Sequence, residues 1–307
     1  VGVRRGDDVV VSTYTFAASA FAVSHHGARP CFVDASVDDW HMDPDLLEDE
    51  LARRARAGRL PAAVVAVDVY GSVADWRRLA DVCGAHGVPL VADSAEAAGA
   101  HRDGLHAGRA ATIGILSFNG NKIVTTGGGG AAFADDPVAI SRIRRLSTQA
   151  REPVAWYEHR EVGFNERLGN VSAAIGRGQL RTLPARIERR AEVRRRYEER
   201  LGRLGGISFQ PVPPGCHPNH WLTTVVVDPE EFGADRDRVL EALRADRIEA
   251  RHGFKPMHLQ PVYRDHPVVG GAVSADLFER SVSLPSGAAL TEDDLDRICS
   301  HVESVRR

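Results

Sequence analysis

Short apolar stretches alternate with amphipathic stretches along the first part of the chain. The apolar runs have the length of strands and lie at residues 9–11, 31–34, 62–67 and 88–92. Strands that are apolar on both faces and alternate with helices indicate a parallel sheet covered on both sides by helices. Ligands on such sheets bind at the carboxyl ends of the strands, where this pattern places Asp93 and residues 12–16.

The second half of the chain has a different pattern. A long helical pattern covers residues 171–204, and Pro184 within it predicts a bend or a helix restart. After residue 206 come short apolar runs, an amphipathic helix at 235–245 and a closing helix opened by a capping box at Thr291. We predict a large α/β domain at 1–170, a connecting helix at 171–204 and a smaller α+β domain at 205–307.

One turn between two predicted strands carries a lysine and four consecutive glycines. The segment 113–133 opens and closes with apolar runs, and Lys122 and Gly127–Gly130 lie between them. Of the 39 basic residues in the chain, only Lys122 and Lys255 are lysines. Arginine is therefore strongly preferred over lysine in this chain, and a lysine is expected mainly where arginine cannot replace it. Schiff-base formation is such a case, because it needs a primary amine that can lose its proton. A surface lysine retained by chance is the alternative.

Composition excludes several classes of function. The formal net charge is −3, with 43% hydrophobic and 26% charged residues, which gives no reason to expect nucleic acid or a membrane surface as a partner. No run of about 18 apolar residues predicts a membrane span. Four widely separated cysteines suggest buried thiols in a reducing compartment, so we predict a cytoplasmic protein. No metal site is predicted.

Asp93 and Lys122 together suit a pyridoxal-phosphate (PLP) site. The lysine would form an imine with the cofactor aldehyde, and the aspartate would keep the pyridine nitrogen protonated so that the ring accepts electrons. Spacing alone leaves alternatives open, because a strand-end aspartate can cap a helix and glycines can serve a tight turn. A nucleotide site lacks both the GxxxxGK[ST] and the GxGxxG fingerprint.

Four ordered motifs resemble the DegT/DnrJ/StrS family of sugar-nucleotide aminotransferases. They are Asp93-Ser-Ala-Glu-Ala-Ala-Gly99, the Leu116 to Gly130 segment, Gly163-Phe-Asn165 with residues 170–180, and Lys255-Pro-Met-His-Leu-Gln-Pro261. The resemblance covers nearly the whole chain. It implies the aspartate-aminotransferase fold, which is PLP-dependent transferase fold type I. It also implies a dimer with two sites at the interface and a closest likeness to members that aminate the 4-keto group of nucleotide-linked 6-deoxyhexoses.

The same resemblance implies a role for each matching residue around the cofactor. Lys122 matches the Schiff-base lysine, and Asp93 the partner of the pyridine nitrogen. Glu96 matches the family's Gln or Glu beside the phenolic oxygen of the cofactor ring. Phe16 matches an aromatic residue that stacks on that ring. Ser117 matches a hydroxyl that binds the cofactor phosphate.

Three further matches concern the substrate and a neighbouring subunit. Asn165 matches an asparagine that reaches the phosphate from the partner chain, and Lys255 and His258 belong to a motif near the substrate. Glu166 departs from the family, which often has Tyr there, so the adjoining loop can differ.

A second departure concerns the beginning of the sequence. Family members usually carry an upstream segment with a strand and a phosphate-binding Ser-Gly-Thr turn, and the first residue here is Val1. We therefore expect a strand at 130–134 to lie exposed at a sheet edge. We also expect the active gene product to extend upstream and to bind its cofactor better than the 307-residue chain.

These observations predict a PLP-dependent aminotransferase that moves an amino group, with glutamate as donor, to C4 of a nucleotide-linked deoxyhexose. Two alternatives remain at this stage. The family's sugar dehydratases have His in place of the lysine, so Lys122 argues against them. A catalytically impaired paralogue acting as a partner or regulator is favoured only by the missing phosphate-binding turn.

Overall fold

The secondary structure follows the predicted alternation of strands and helices. The computed structural model describes residues 1–306. In chain order its strands are β1 (Asp8–Ser12), β2 (Arg29–Val33), β3 (Ala63–Val67), β4 (Leu90–Asp93), β5 (His101–Arg102), β6 (Leu105–His106), β7 (Ile113–Ser117), β8 (Gly130–Phe133), β9 (Ile207–Phe209), β10 (Cys216–His217), β11 (Thr223–Val227), β12 (Arg251–His252), β13 (Val268–Val269) and β14 (Ser281–Leu284). Its α-helices are α1 (Ala18–His25), α2 (Pro44–Arg56), α3 (Trp76–Ala85), α4 (Pro137–Leu146), α5 (Asn170–Arg181), α6 (Leu183–Leu201), α7 (Pro229–Phe232), α8 (Arg236–Ala245), α9 (Ala272–Arg280) and α10 (Glu292–Ser304).

A seven-stranded sheet with the order β13-β2-β1-β3-β4-β7-β8 forms the centre of the molecule. Its strands are parallel except for the antiparallel pair β7 and β8. The central strands β1 and β3 are almost completely buried, which explains why their sequences are apolar on both faces. The predicted mostly parallel α/β architecture is confirmed.

Parallel pairing brings the carboxyl ends of neighbouring strands to one edge of this sheet. Asp93, the last residue of β4, lies between Val67 of β3 and Ile115 of β7 in the strand register. Ser12 ends β1 at the same edge. Side chains that leave these strand ends therefore converge on one region.

The C-terminal segment builds a second, antiparallel sheet with the order β12-β14-β11-β9. Helices α6, α8 and α10 pack on it around a core of its own that includes Tyr197, Phe232 and Leu243. The predicted helix restart is confirmed, because α5 ends at Arg181 and α6 begins at Leu183. The predicted domain limits stay a prediction, and β13 from the C-terminal segment joins the large sheet beside β2.

Strand β8 lies at the other end of the large sheet. Gly130, Ala131 and Ala132 are exposed, and within residues 1–306 no strand pairs with the outer side of β8. The expected exposed edge is therefore present in the described chain. None of the described helices has the length and apolar character to span a bilayer.

Candidate active site

A cavity of about 780 Å³ opens between the carboxyl edge of the large sheet and the C-terminal sheet. Five of the eight candidate residues line it, namely Phe16, Asp93, Glu96, Ser117 and Lys122. They come from β1, β4, β7 and the turns that follow these strands. The sheet topology therefore brings together residues that are far apart in the sequence.

Two hydrogen bonds fix the carboxylate of Asp93 at the end of β4. Its Oδ2 accepts a hydrogen bond from Ser19 Oγ at 2.6 Å, and its Oδ1 accepts one from the Ala95 amide at 3.1 Å. Ser19 in turn lies 2.9 Å from the Thr15 hydroxyl. The role of Ser19 could not be predicted from the sequence, which shows only that this residue lies in an Ala-rich helical segment.

Glu96 and Lys122 form a pair inside the cavity. Lys122 Nζ lies 3.4 Å from Glu96 Oε1, while Glu96 Oε2 accepts a hydrogen bond from the Tyr70 amide at 2.8 Å. The pKa of Glu96 is raised to about 7, because the effect of burial and, to a smaller extent, of the nearby Asp93 outweighs the lowering by the Lys122 ammonium and the Tyr70 amide. At neutral pH this carboxyl can therefore carry a proton and donate a hydrogen bond.

Trp221 is a contact of Lys122 that the sequence did not reveal. Lys122 Nζ lies 4.0 Å from the centre of the Trp221 ring, which is the geometry of a cation–π contact. The indole Nε1 donates a hydrogen bond to the Asn121 carbonyl at 2.8 Å. Trp221 lies just before β11, about 100 residues after Lys122, and no local pattern distinguishes it from a core tryptophan.

Phe16 and Ser117 present an aromatic face and a hydroxyl to the same cavity. Phe16 is 60% exposed, so it is not a core residue, and its ring centre lies 6.3 Å from that of Phe254. Ser117 ends β7, and its Oγ accepts a hydrogen bond from the Asn119 amide at 3.2 Å. The hydroxyl is thus held at the entrance of the turn that carries Lys122.

Three candidate residues do not line the cavity. Asn165 is exposed and forms an isolated bridge with Thr148. His258 Nδ1 lies 2.7 Å from Thr13 Oγ1, and partial burial lowers the pKa of His258. Lys255 is half-buried on the same loop, where its carbonyl accepts a hydrogen bond from Gln260.

The chemistry of the residues around the cavity fits pyridoxal phosphate. A primary amine, a carboxylate at a strand end, a buried protonatable carboxyl, an exposed aromatic ring and a hydroxyl all face one space. On a mostly parallel sheet with a smaller C-terminal sheet, this set defines a PLP-dependent aminotransferase of fold type I.

The comparison with known families identifies the chain further. The model of the DegT/DnrJ/EryC1/StrS aminotransferase family matches residues 1–303, and the chain belongs to this family. EpsN of Bacillus subtilis (strain 168) is 40% identical over 300 residues, which span 96% of this chain and 76% of that protein. A GDP-perosamine synthase of Caulobacter vibrioides is 34% identical over 311 residues, spanning 99% of this chain and 81% of that protein.

A solved structure agrees with these matches. The structure of a DegT DnrJ EryC1 StrS aminotransferase from Brucella abortus superposes with a TM-score of 0.91 at 30% identity, covering 99% of this chain and 81% of that one. The chain is therefore an enzyme, a PLP-dependent sugar aminotransferase, as its motifs predicted. These matches do not support the alternative of a non-enzymatic paralogue.

Proposed function

We propose that the enzyme transfers an amino group from glutamate to the C4 keto group of a nucleotide-linked 6-deoxyhexose. The observation that carries the proposal is the position of Lys122 Nζ, which faces the cavity beside Glu96. The nucleotide-sugar class is supported by the relative that is a GDP-perosamine synthase. The C4 position rests on the ordered motifs, which most resemble members that aminate C4.

In this proposal Lys122 and Asp93 carry the reaction. Bound PLP supplies an aldehyde that a lysine can hold and a ring that accepts the electrons released when a Cα–H bond breaks. Lys122 Nζ would hold the cofactor and, once freed by the amino donor, would carry a proton from the donor Cα to the carbon that the cofactor's aldehyde supplies. The Asp93 carboxylate, oriented by Ser19, holds the ring nitrogen in its protonated form.

The other lining residues bind and orient the cofactor. Glu96 would donate a hydrogen bond to the phenolic oxygen of the ring, since a pKa of about 7 lets a large fraction of its carboxyl carry a proton at neutral pH. Phe16 stacks on the ring face, which its exposure at the cavity permits. The Ser117 hydroxyl binds the phosphate.

We further propose a homodimer in which each site uses both chains. Asn165 lies outside its own cavity and is exposed, which suits a residue that completes the phosphate site of a partner chain. Lys255 and His258 share a loop with Phe254, which does line the cavity. Substrate binding would have to move that loop to bring these two side chains to the sugar.

A substrate panel tests the proposed function. The purified enzyme with PLP is given glutamate and GDP-linked or dTDP-linked 6-deoxyhexoses that carry the keto group at C3 or at C4, and the products are identified by mass spectrometry and NMR. Amination of a 4-keto sugar that disappears in Lys122→Arg supports the proposal. Amination only at C3 contradicts it.

A further inference from the structure

The tryptophan beside Lys122 belongs to a rigid frame. Trp221 is 5% exposed, and its amide donates a hydrogen bond to Asn219 Oδ1 at 2.9 Å. The fully buried Asn219 donates hydrogen bonds from Nδ2 to the Glu96 carbonyl at 2.8 Å and to the Ala98 carbonyl at 3.0 Å. The indole is thereby fixed relative to the turn that carries Glu96.

Two further hydrogen bonds hold Trp221 in place. Arg190 of α6 donates a hydrogen bond to the Trp221 carbonyl. The indole Nε1 of Trp221 donates one to the carbonyl of Asn121, the residue directly before Lys122. One side chain therefore contacts the amine of Lys122 and also orients the peptide that carries it. Lysine has a flexible stem of four methylene groups, so its amine stays at one point only where neighbouring groups confine it.

We infer that Trp221 is a positioning residue for Lys122, confining the free amine between the indole face and Glu96 whenever it is not bonded to the cofactor. The inference rests on the proposed role of Lys122. In that role the neutral amine would take a proton from the donor α-carbon and deliver the same proton to the carbon that the cofactor's aldehyde supplies, so Lys122 would be unchanged after each transfer. A confined Nζ stays within reach of that proton, which a freely rotating amine would not.

Because the chain has only two lysines, this contact can be observed directly in the cofactor-free protein. Protein labelled with ¹³C at the lysine Cε gives two signals in a ¹H–¹³C spectrum, and Lys255→Arg assigns them. The indole ring current is expected to shift the Lys122 signal upfield, and Trp221→Leu should remove that shift while leaving the Lys255 signal unchanged. Phe278→Leu is the matched control, since it removes a ring that contacts the guanidinium of Arg236 instead.

Kinetics of the PLP-loaded enzyme test the consequence for proton transfer. Trp221→Leu is expected to lower kcat about 10- to 100-fold, with a smaller change in KM for glutamate. The deuterium isotope effect on kcat with α-deuterated glutamate should rise, because proton transfer becomes rate-limiting. Trp221→Phe keeps an aromatic face and should recover most of kcat.

The outcomes separate this inference from the proposed function. A Lys122 signal that does not move in Trp221→Leu, or an unchanged isotope effect, overturns the positioning role while an inactive Lys122→Arg still supports the role of Lys122. An active Lys122→Arg contradicts the proposed function itself. If Trp221→Leu does not fold, the spectrum and isotope effect of Trp221→Phe decide, since it is expected to keep an upfield Lys122 signal and a near-native isotope effect.

Discussion

Replacing Glu96 with Gln tests whether burial keeps this carboxyl protonated. Glu96 is 4% exposed and accepts a hydrogen bond from the Tyr70 amide, and burial raises its pKa from 4.5 to about 7. Gln has nearly the same shape and never ionises. The substitution therefore removes the ionisation of the side chain and keeps its packing.

The sign of the effect follows from the direction of the pKa change. Between pH 4.5 and about 7 the unfolded chain has lost the Glu96 proton while the folded chain still holds it, so stability falls as the pH rises. The decrease levels off about one pH unit above that pKa, where the folded chain has lost the proton as well. At about 1.4 kcal/mol per pH unit, the pKa rise to about 7 corresponds to about 3 kcal/mol of lost stability.

The assay is urea unfolding of the cofactor-free protein at several pH values from 5 to 8. The stability of Glu96→Gln relative to the native protein should increase by about 3 kcal/mol across that range. Glu188→Gln is the control, because Glu188 is exposed and has no ion-pair partner within residues 1–306, and its stability should run parallel to the native curve. If the Glu96→Gln curve also runs parallel, Glu96 ionises like an exposed glutamate and does not donate a proton at neutral pH.

Three further predictions concern the proposed roles. Asp93→Asn should still bind PLP but lower kcat about 100-fold or more in steady-state assays, since an amide does not keep the ring nitrogen protonated; near-native turnover would refute the assignment. Phe16→Ala should weaken PLP binding by about 1 kcal/mol in an equilibrium titration, because an aromatic contact of that size is lost, whereas unchanged affinity would exclude stacking. Mixed Lys122→Ala and Asn165→Ala chains should recover part of the activity if sites are shared, and verified heterodimers without activity would argue against sharing.

Local sequence patterns predicted the parts of the site that depend on single elements. Apolar runs located β4 and β7, so Asp93 could be placed at a strand end, and the glycine-rich turn and the scarcity of lysine indicated Lys122. Family resemblance added Phe16, Glu96 and Ser117, which line the same cavity.

Contacts between distant elements could not be predicted in this way. The Trp221 indole meets Lys122, and Ser19 meets Asp93, only because α1 and the start of β11 fold against the carboxyl edge of the sheet. Nothing within a few residues of Trp221 or Ser19 encodes those partners. A family motif can also be present without placing its residues in the cavity. Lys255 and His258 belong to such a motif, and both side chains lie outside the cavity.

Borohydride reduction of the PLP-loaded enzyme followed by tryptic mass spectrometry tests the central claim most directly. Lys122 is the only basic residue between Arg109 and Arg142, so trypsin divides the segment 110–142 at Lys122 when its amine is free. A reduced cofactor on Lys122 blocks that cut, and we predict one intact 110–142 peptide heavier by the reduced cofactor. A label on Lys255, or two unlabelled peptides from 110–142, would contradict the account.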